Sequence, residues 1–468
     1  MTYLFRAPRP FVSPLSLVLA LPLACAIGCG GNVAGSPGSG AQDDDASTTT
    51  TPPIILLPPI AKHDAGSAVD GGSADATSAV DAFVAPVTAV PLFSCQPSEY
   101  TAAVTIGESQ VFQLTIDTGS TSLGVAGASC PSCGQSLVYD PGSTSTDENQ
   151  TAFSQYGSGS WSGNIFQDSV KMGTDPGAPV DLVSITSSSQ FFEPADCDSS
   201  IGGYQGIIGF GPSGSAVQGT NGFFDQLVAT THIPDIFSTE LCDSGGTLWL
   251  GGYDPTFTTA APQYTPLEPG ISQFYYAVNL VSVTVAGKTV PIATQQFNSS
   301  IVDTGTSIFI LPNAAFTGIT NAIASSPGYR TVFHITTPLP EDGGVTDAGI
   351  ADGGASDAAP VTPPNPAAFF GNIEACATLS QTKAELDAML PPLTFTFGSN
   401  PAIEVQALPT ESYLMQYQGQ WCPTLYPMNP SQDDPLAAIV GSPILRSNIV
   451  IFDRAASRIG FAPHTACP

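Results

Sequence analysis

LTIDTGSTSLG at residues 114–124 and SIVDTGTSIFI at residues 300–310 follow one pattern. In each, an apolar run leads into Asp-Thr-Gly, a hydroxyl residue and further apolar residues. A carboxylate at the end of an apolar strand needs hydrogen-bond donors, because burying it without them is costly. The glycine lets backbone approach the carboxylate, and the hydroxyls supply donors. The two copies predict a duplicated unit that contributes one aspartate, Asp117 or Asp303, per copy.

A second motif follows each aspartate in the same order. GIIGFG at 206–211 comes after Asp117, and AIVGSP at 438–443 comes after Asp303. Each contains two bulky apolar residues and a glycine. The recurrence of both motifs favours a duplicated fold over a chance tripeptide.

Composition limits the functional class. The 468 residues include 39 acidic and 10 basic side chains, which gives a net charge of −29 and a pI near 4.1. Phosphate recognition needs clustered Lys and Arg, so no nucleic-acid partner is expected. The histidines at 63, 232, 334 and 464 occur singly, without metal-ligand spacing. We therefore expect no metal and no cofactor.

The body of the chain reads as all-β. Short strand-like runs such as VFQLTI, GTLWLGG, LTFTF and NIVIFD alternate with Gly, Pro and Ser turns. Only 222–230 and 382–390 read as helices, and no strand–helix alternation suggests a doubly wound sheet.

The N-terminal segment predicts export. Residues 1–29 combine a basic start with an apolar run too short to span a bilayer. LACAIGCGG resembles a bacterial lipoprotein signal with Cys29 as the lipidated residue and Cys25 as the weaker candidate. The alternative is an ordinary cleaved signal peptide. We expect an exported protein, secreted or held at a membrane only by this lipid.

Two low-complexity stretches follow the leader. Residues 30–91, rich in Asp, Gly, Ser, Thr and Pro, predict a disordered tether, because they contain too few apolar residues to form a core. The similar low-complexity composition of residues 338–366 predicts an exposed insert.

The cysteine count fits an oxidising compartment. Eight cysteines lie beyond the leader, at 95, 130, 133, 197, 242, 376, 422 and 467. An even number in an exported protein predicts disulfides. The two cysteines of CPSC at 130–133 also have the spacing of a redox or metal site. No second cysteine pair with metal-site spacing accompanies them, so a local disulfide is favoured.

These motifs together resemble the pepsin-like aspartic endopeptidase family, over roughly 95–468. QYGSGSWSG at 155–163 is similar to its flap hairpin, and GGTLWLGGYDP and IVGSPILRSNIVIFDRAASRIGFAP are similar to later family segments. The resemblance implies two pseudo-symmetric β-rich lobes with few short helices. We place the N-terminal lobe at 92–265 and the C-terminal lobe at 266–468.

The resemblance also implies a mechanism and a residue set. Asp117 and Asp303 would activate one water molecule to hydrolyse a peptide bond of an extended polypeptide at acidic pH. The resemblance also implies a monomer. The bracing and hydrogen-bonding residues would be Thr118, Gly119, Ser120, Thr304, Gly305 and Thr306. Tyr156 and Gly157 would form the flap tip.

Three details extend or qualify the resemblance. Gly124 stands where the family usually carries a Trp that hydrogen-bonds the flap tyrosine, and Trp161 is the candidate substitute. Cys376–Cys422 and Cys130–Cys133 resemble family disulfides, which leaves Cys95 with Cys467 and Cys197 with Cys242. The alternative function is a catalytically inactive member of the fold that binds another protein or peptide.

Overall fold

The structure is a computed structural model that describes residues 88–96, 98–157, 159–192, 204–291, 297, 299–335, 369–370, 372, 375–398, 402–428, 436–465 and 467. The predicted leader with Cys29, the insert at 338–366 and Cys197 lie outside the described residues. So does the predicted tether up to residue 87. Residues 88–91, which we assigned to the tether, instead belong to the first strand, where they pair with a later strand.

Strands dominate the described residues. They are β1 Thr88–Gln96, β2 Glu99–Ile106, β3 Gln110–Asp117, β4 Leu123–Ala126, β5 Thr146–Gln155, β6 Ser160–Met172, β7 Ala178–Ser189, β8 Gly206–Gly209, β9 Ile236–Cys242, β10 Gly245–Leu250, β11 Gln263–Pro266, β12 Ala277–Val278, β13 Leu280–Val285, β14 Lys288–Thr289, β15 Ser299–Asp303, β16 Phe309–Pro312, β17 Leu393–Phe397, β18 Ile403–Ala407, β19 Leu414–Tyr417, β20 Gln420–Pro423, β21 Leu425–Met428, β22 Leu436–Gly441, β23 Asn448–Asp453 and β24 Arg458–Pro463. The expectation of a mostly β, bilobal fold is confirmed.

The helices are short and few. They are α1 Phe223–Thr231, α2 Asn313–Ala324, α3 Pro327–Val332, α4 Lys383–Met389 and α5 Ser442–Leu445. The two predicted helices correspond to α1 and α4. Thr382 and Glu385 form a capping box that starts α4. Among the described residues, no helix is long and apolar enough to cross a membrane.

The sequence reading missed helix α2. Its buried residues Phe316, Ile319 and Ile323 recur at helical spacing and face the core. The signal was therefore present, but the Thr and Ile content reads as strand, and tertiary packing overrides that preference.

Strand pairing in the first lobe brings its two motifs side by side. β3 pairs in parallel with β8, with Asp117 opposite Gly209, and β4 runs antiparallel to β8, with Leu123 opposite Ile208. β4 then pairs in parallel with β7. Asp117 therefore ends a strand that is flanked by the apolar GIIG segment.

The second lobe repeats this arrangement. β15 pairs in parallel with β22, with Asp303 opposite Gly441, and β16 runs antiparallel to β22, with Ile310 opposite Ile439. β16 pairs in parallel with β21. The same four-strand order surrounds each aspartate, so the sequence duplication is a structural one.

The first and last of the described strands belong to one 13-stranded sheet. Its order is β11-β24-β23-β9-β10-β1-β2-β3-β8-β4-β7-β6-β5, so β23 and β24 lie beside strands from the first half. Phe237 of β9 stacks on Phe452 of β23, with ring centroids 4.6 Å apart. Tyr276, at the start of the second half, donates to the carbonyl of Phe210 at 2.7 Å. These buried contacts fix the relative position of the two aspartate loops.

Candidate active site

Asp117 is buried at the end of β3 and its carboxylate is held by its own loop. The Gly119 N–H donates to Oδ1 at 2.8 Å, and the Ser120 hydroxyl donates to Oδ2 at 2.5 Å. The side chain is only 5% exposed. These donors offset part of the cost of burying the carboxylate.

Asp303 is held in the same way. The Gly305 N–H donates to Oδ1 at 2.9 Å, and the Thr306 hydroxyl donates to Oδ2 at 2.6 Å. This side chain is 7% exposed. Each Asp-Thr-Gly loop therefore provides one backbone and one hydroxyl donor to its own aspartate.

The two carboxylates face each other across the junction of the loops. A Cβ added to Gly119 would lie 2.7 Å from the Asp303 carboxylate, and one added to Gly305 would collide with Oδ1 of Asp117. Each aspartate thus presses against the glycine of the other loop. Only glycine permits this approach, which explains why both motifs contain one.

The two threonines join the loops reciprocally. The Thr118 hydroxyl accepts from the Thr304 N–H at 3.0 Å, and the Thr304 hydroxyl accepts from the Thr118 N–H at 3.1 Å. The same hydroxyls donate to the carbonyls of Val302 and Ile116 in the opposite loops. All four bonds cross between lobes and set the spacing of the aspartates.

This arrangement changes the acidity of the pair. Burial, followed by the neighbouring Asp303 carboxylate, raises the pKa of Asp117 above its ordinary value, against the lowering effect of the Ser120 hydroxyl. Two carboxyl groups so close do not both ionise readily. The pair therefore retains a proton at pH values where an exposed aspartate has lost it.

The predicted flap residue Tyr156 lies at the end of the β5–β6 hairpin. Its N–H donates to the Gly159 carbonyl at 2.7 Å, which closes the turn around Gly157. Burial, followed by the Asp117 carboxylate, raises the pKa of Tyr156 to about 12. The tyrosine is therefore close enough to Asp117 to experience its charge.

Trp161 occupies the space beside Gly124. A Cβ added to Gly124 would lie 3.2 Å from Cζ2 of Trp161, whose ring is 6.2 Å from that of Tyr156. Trp161 is fully buried. Burial raises the pKa of the Tyr156 hydroxyl, and a hydrogen bond from the Trp161 side chain lowers it by a smaller amount. The indole thus comes from β6, beside the flap, rather than from β4.

Sequence reasoning missed an aromatic group next to the flap. The ring of Phe191 lies 5.3 Å from Tyr156 and 4.9 Å from Phe192, which in turn lies 6.2 Å from Tyr204. The FF pair after β7 was the available signal. Together these rings form an apolar surface alongside the flap.

The disulfides correct half of the expected map. Cys130–Cys133 and Cys376–Cys422 are formed as expected. Cys242 pairs with Cys467, so the expected pairs Cys95–Cys467 and Cys197–Cys242 are both wrong. Cys242 ends β9 and Cys467 follows β24, and both strands flank β23 in one sheet.

One group of metal-ligand atoms occurs within the described part of the chain. Glu240, His464 and Cys467 bring their ligand atoms within 4.8 Å of one another. Cys467 is in a disulfide, so it offers no thiolate, and two remaining ligands do not make a structural metal site.

Comparison with known proteins agrees with this geometry. The family model described as "Eukaryotic aspartyl protease" matches residues 99–464, so the chain belongs to that family. It is 25% identical to a Pepsin A of Gallus gallus over 80% of this chain and 86% of that protein. It is 28% identical to a Pepsin A of Rhinolophus ferrumequinum over 80% of this chain and 83% of that one.

A beta-secretase of Strongylocentrotus purpuratus is also similar. It is 26% identical over 77% of this chain, and the chain spans 65% of its length.

Proposed function

We propose that this protein is an aspartic endopeptidase that hydrolyses peptide bonds in extended polypeptides. The observation that supports it best is the matched pair of buried carboxylates, Asp117 and Asp303, each held by equivalent donors and pressed against the other loop. A buried acidic pair costs stability, so its retention in two intact motifs favours a chemical role.

The mechanism of peptide-bond hydrolysis depends on one proton that Asp117 and Asp303 share. The ionised member of the pair takes a proton from a water molecule, whose oxygen forms a bond to the scissile carbonyl carbon. The protonated member donates its proton to the carbonyl oxygen, which gives a neutral tetrahedral diol. The carbon–nitrogen bond then breaks as the amine takes a proton and the acid product forms. The raised pKa of Asp117 supports a proton on the pair in mildly acidic solution.

The surroundings fit a polypeptide substrate. Tyr156 with the Phe191, Phe192 and Tyr204 rings provides an apolar wall beside the dyad, and the flap excludes water when it closes. The three disulfides support an exported protein, and the lipid anchor at Cys29 remains part of this proposal.

The test is digestion of an unfolded, oxidised protein substrate by the mature chain from pH 3 to 7. Wild type would be compared with Asp117→Asn, with Asp303→Asn and with wild type plus pepstatin. Asp140→Asn is the matched control, because it removes the same charge from an exposed site. We expect acid-range cleavage that only the control variant retains. A correctly folded wild type that cleaves nothing at any pH would reject the proposal in favour of a binding protein.

A further inference from the structure

The Cys242–Cys467 disulfide lies beside a histidine and a buried carboxyl group. The Nδ1 atom of His464 is 3.8 Å from the Cys467 sulfur and 3.8 Å from Oε1 of Glu240. The sulfur, the imidazole nitrogen and the carboxyl oxygen all lie within 4.8 Å of one another. A cysteine, an imidazole and a carboxyl group therefore form one cluster, which the proposed peptide-bond chemistry does not use.

Ordered backbone fixes the members of this cluster. Glu240 and Cys242 are two residues apart on β9, so their side chains project from the same face of the sheet. The residues before and after His464 each form a backbone hydrogen bond of 2.8 Å with the segment 257–259. The imidazole is therefore held on both sides, next to the end of β9.

Glu240 has a buried oxygen that lacks a hydrogen-bond donor. The residue is 2% exposed, and among the described residues nothing donates a hydrogen bond to its Oε1. Burial raises the pKa of this carboxyl group above its ordinary value. The His464 imidazole, within ion-pair distance, is the group that can supply the missing donor. Glu240 therefore favours a proton on Nδ1, the atom that also faces Cys467.

A proton on Nδ1 gains a stronger acceptor when the disulfide is open. A thiolate accepts a charge-assisted hydrogen bond, whereas a disulfide sulfur is a weak acceptor. A neighbouring imidazole N–H stabilises a thiolate relative to its thiol. The cluster therefore stabilises the thiolate of Cys467 in the reduced protein.

The two sulfurs also differ in their access to solvent. Cys242 is 3% exposed, whereas Cys467 is partly exposed. Access and thiolate content both control the rate of thiol–disulfide exchange. Cys467 is therefore the sulfur that meets a compound from solution, and Cys242 is its buried partner.

We propose that Cys467 is a thiol–disulfide exchange site, activated by His464 and Glu240, that reacts with low-molecular-weight disulfides. The Cys467 thiolate attacks one sulfur of the external disulfide, whose sulfur–sulfur bond breaks and releases one thiolate. The Cys242 thiolate then attacks the Cys467 sulfur of the mixed disulfide, which closes the protein disulfide and releases the second thiolate.

The exchange is balanced without a further reactant. The two protein thiols lose two electrons and two protons, and the external disulfide gains them and leaves as two thiols. The inference goes beyond the proposed endopeptidase function and does not depend on it.

The first test uses the full chain with Cys242→Ser, which leaves Cys467 as a free thiol. Its alkylation by iodoacetamide at pH 7 is followed by peptide mapping, in the native protein and in the same protein unfolded in urea. Folding ordinarily shields a thiol and slows its alkylation, so a native/unfolded rate ratio above one requires activation. His464→Gln is added in the same background, and His232→Gln, at an exposed site, is the matched control.

We expect a native/unfolded ratio of about fivefold, because the gain in thiolate outweighs the loss of nucleophilicity that accompanies it. The ratio should fall to one or below with His464→Gln and keep its value with His232→Gln. A ratio at or below one in the Cys242→Ser protein, shown by circular dichroism to be folded, would overturn the inference.

A second test keeps the disulfide and applies even if Cys242→Ser does not fold. Wild type and His464→Gln are equilibrated at pH 7 in mixtures of reduced and oxidised glutathione, quenched in acid and mapped. We expect the mixed disulfide on Cys467 and an equilibrium constant for opening about fivefold smaller in His464→Gln, since a stabilised thiolate favours the reduced form.

The direction of this change separates activation from packing. A substitution that merely loosens the site would favour the open form, which is the opposite result. The Cys130–Cys133 disulfide, whose Cys130 sulfur lies 3.5 Å from the neutral Ser132 hydroxyl, should open equally in both proteins. Glutathione on Cys242, or opening of Cys242–Cys467 that is equal or easier in His464→Gln, would refute the proposal.

Discussion

The hydroxyl of Thr118 accepts the backbone N–H of Thr304, and the hydroxyl of Thr304 accepts the backbone N–H of Thr118. Both residues are 1% exposed, so these bonds lie in the protein interior. The pair ties the two lobes together immediately behind the aspartates. The separation of the carboxylates therefore depends on contacts that neither lobe makes alone.

Thr304→Val is expected to disturb catalysis and stability together. It leaves the Thr118 N–H without its acceptor, which costs about 1–3 kcal/mol, and the loosened dyad should lower kcat by roughly 100-fold. Denaturant unfolding and kinetics measure both effects. Thr121→Val is the control, because the Thr121 hydroxyl bonds only the carbonyl of Pro212 within the first lobe.

The two threonine variants should also be non-additive. Thr118→Val removes the acceptor of the Thr304 N–H, and Thr304→Val removes the acceptor of the Thr118 N–H, so each change loosens the junction that both bonds hold. Thr118→Val combined with Thr304→Val should therefore cost less than the sum of the single changes. Additive costs in the double-mutant cycle would show that the two loops are positioned independently.

Asp117→Asn is expected to abolish activity and to stabilise the protein at neutral pH. Because burial and Asp303 raise the pKa of Asp117, the native state keeps a proton that the unfolded chain has released above about pH 4. Native stability therefore falls as pH rises through that window. We expect the variant to be about 2 kcal/mol more stable than wild type at pH 7, with the difference shrinking toward pH 3.5.

Thermal and urea unfolding at pH 3.5, 5 and 7 measure this difference. Asp140→Asn removes the same charge from the surface and should show no such pH dependence. A variant less stable than wild type at pH 7 would contradict the assigned direction.

Trp161 and Gly124 are expected to be energetically coupled. Gly124→Trp alone should destabilise the first lobe by about 1–3 kcal/mol, since even a Cβ there would lie 3.2 Å from the indole of Trp161. Trp161→Ala alone should cost about 3–5 kcal/mol through the cavity it leaves. The double variant should recover part of both losses, because one indole again fills one space.

Activity distinguishes packing from flap positioning in the same series. Trp161→Phe keeps most of the buried area but loses the indole N–H, so stability should change little while KM rises if the N–H orients Tyr156. Unchanged KM in Trp161→Phe would assign Trp161 a purely packing role.

The Cys242–Cys467 disulfide is expected to stabilise the fold far more than Cys130–Cys133 does. It closes a loop of 225 residues, against 3, and therefore restricts the unfolded chain more. Replacing both Cys242 and Cys467 by Ser should cost about 2–5 kcal/mol. Replacing Cys130 and Cys133 by Ser serves as the comparison, measured by denaturant unfolding. Peptide mapping under non-reducing conditions checks the pairing directly, and a Cys95–Cys467 peptide would refute it.

Much of the fold was predictable because the decisive signals are local. Each Asp-Thr-Gly lies within a short apolar run, and each carboxylate is held by donors two and three residues away in its own loop. The alternation of apolar and polar residues predicts strands such as β3 and β17, and the capping-box residues Thr382 and Glu385 predict the start of α4. Helix α2 was missed because its composition favours strand while its packing favours helix.

The sequence by itself determined the chemistry of short stretches: two equivalent aspartate turns, the strands that carry them and an even number of cysteines. The tertiary structure alone decided which distant residues meet. It placed Trp161 over Gly124, Thr304 against Thr118 and Cys467 beside Cys242. Turn and strand chemistry acts between near neighbours in the chain, whereas these contacts depend on the order and register of whole strands in a sheet.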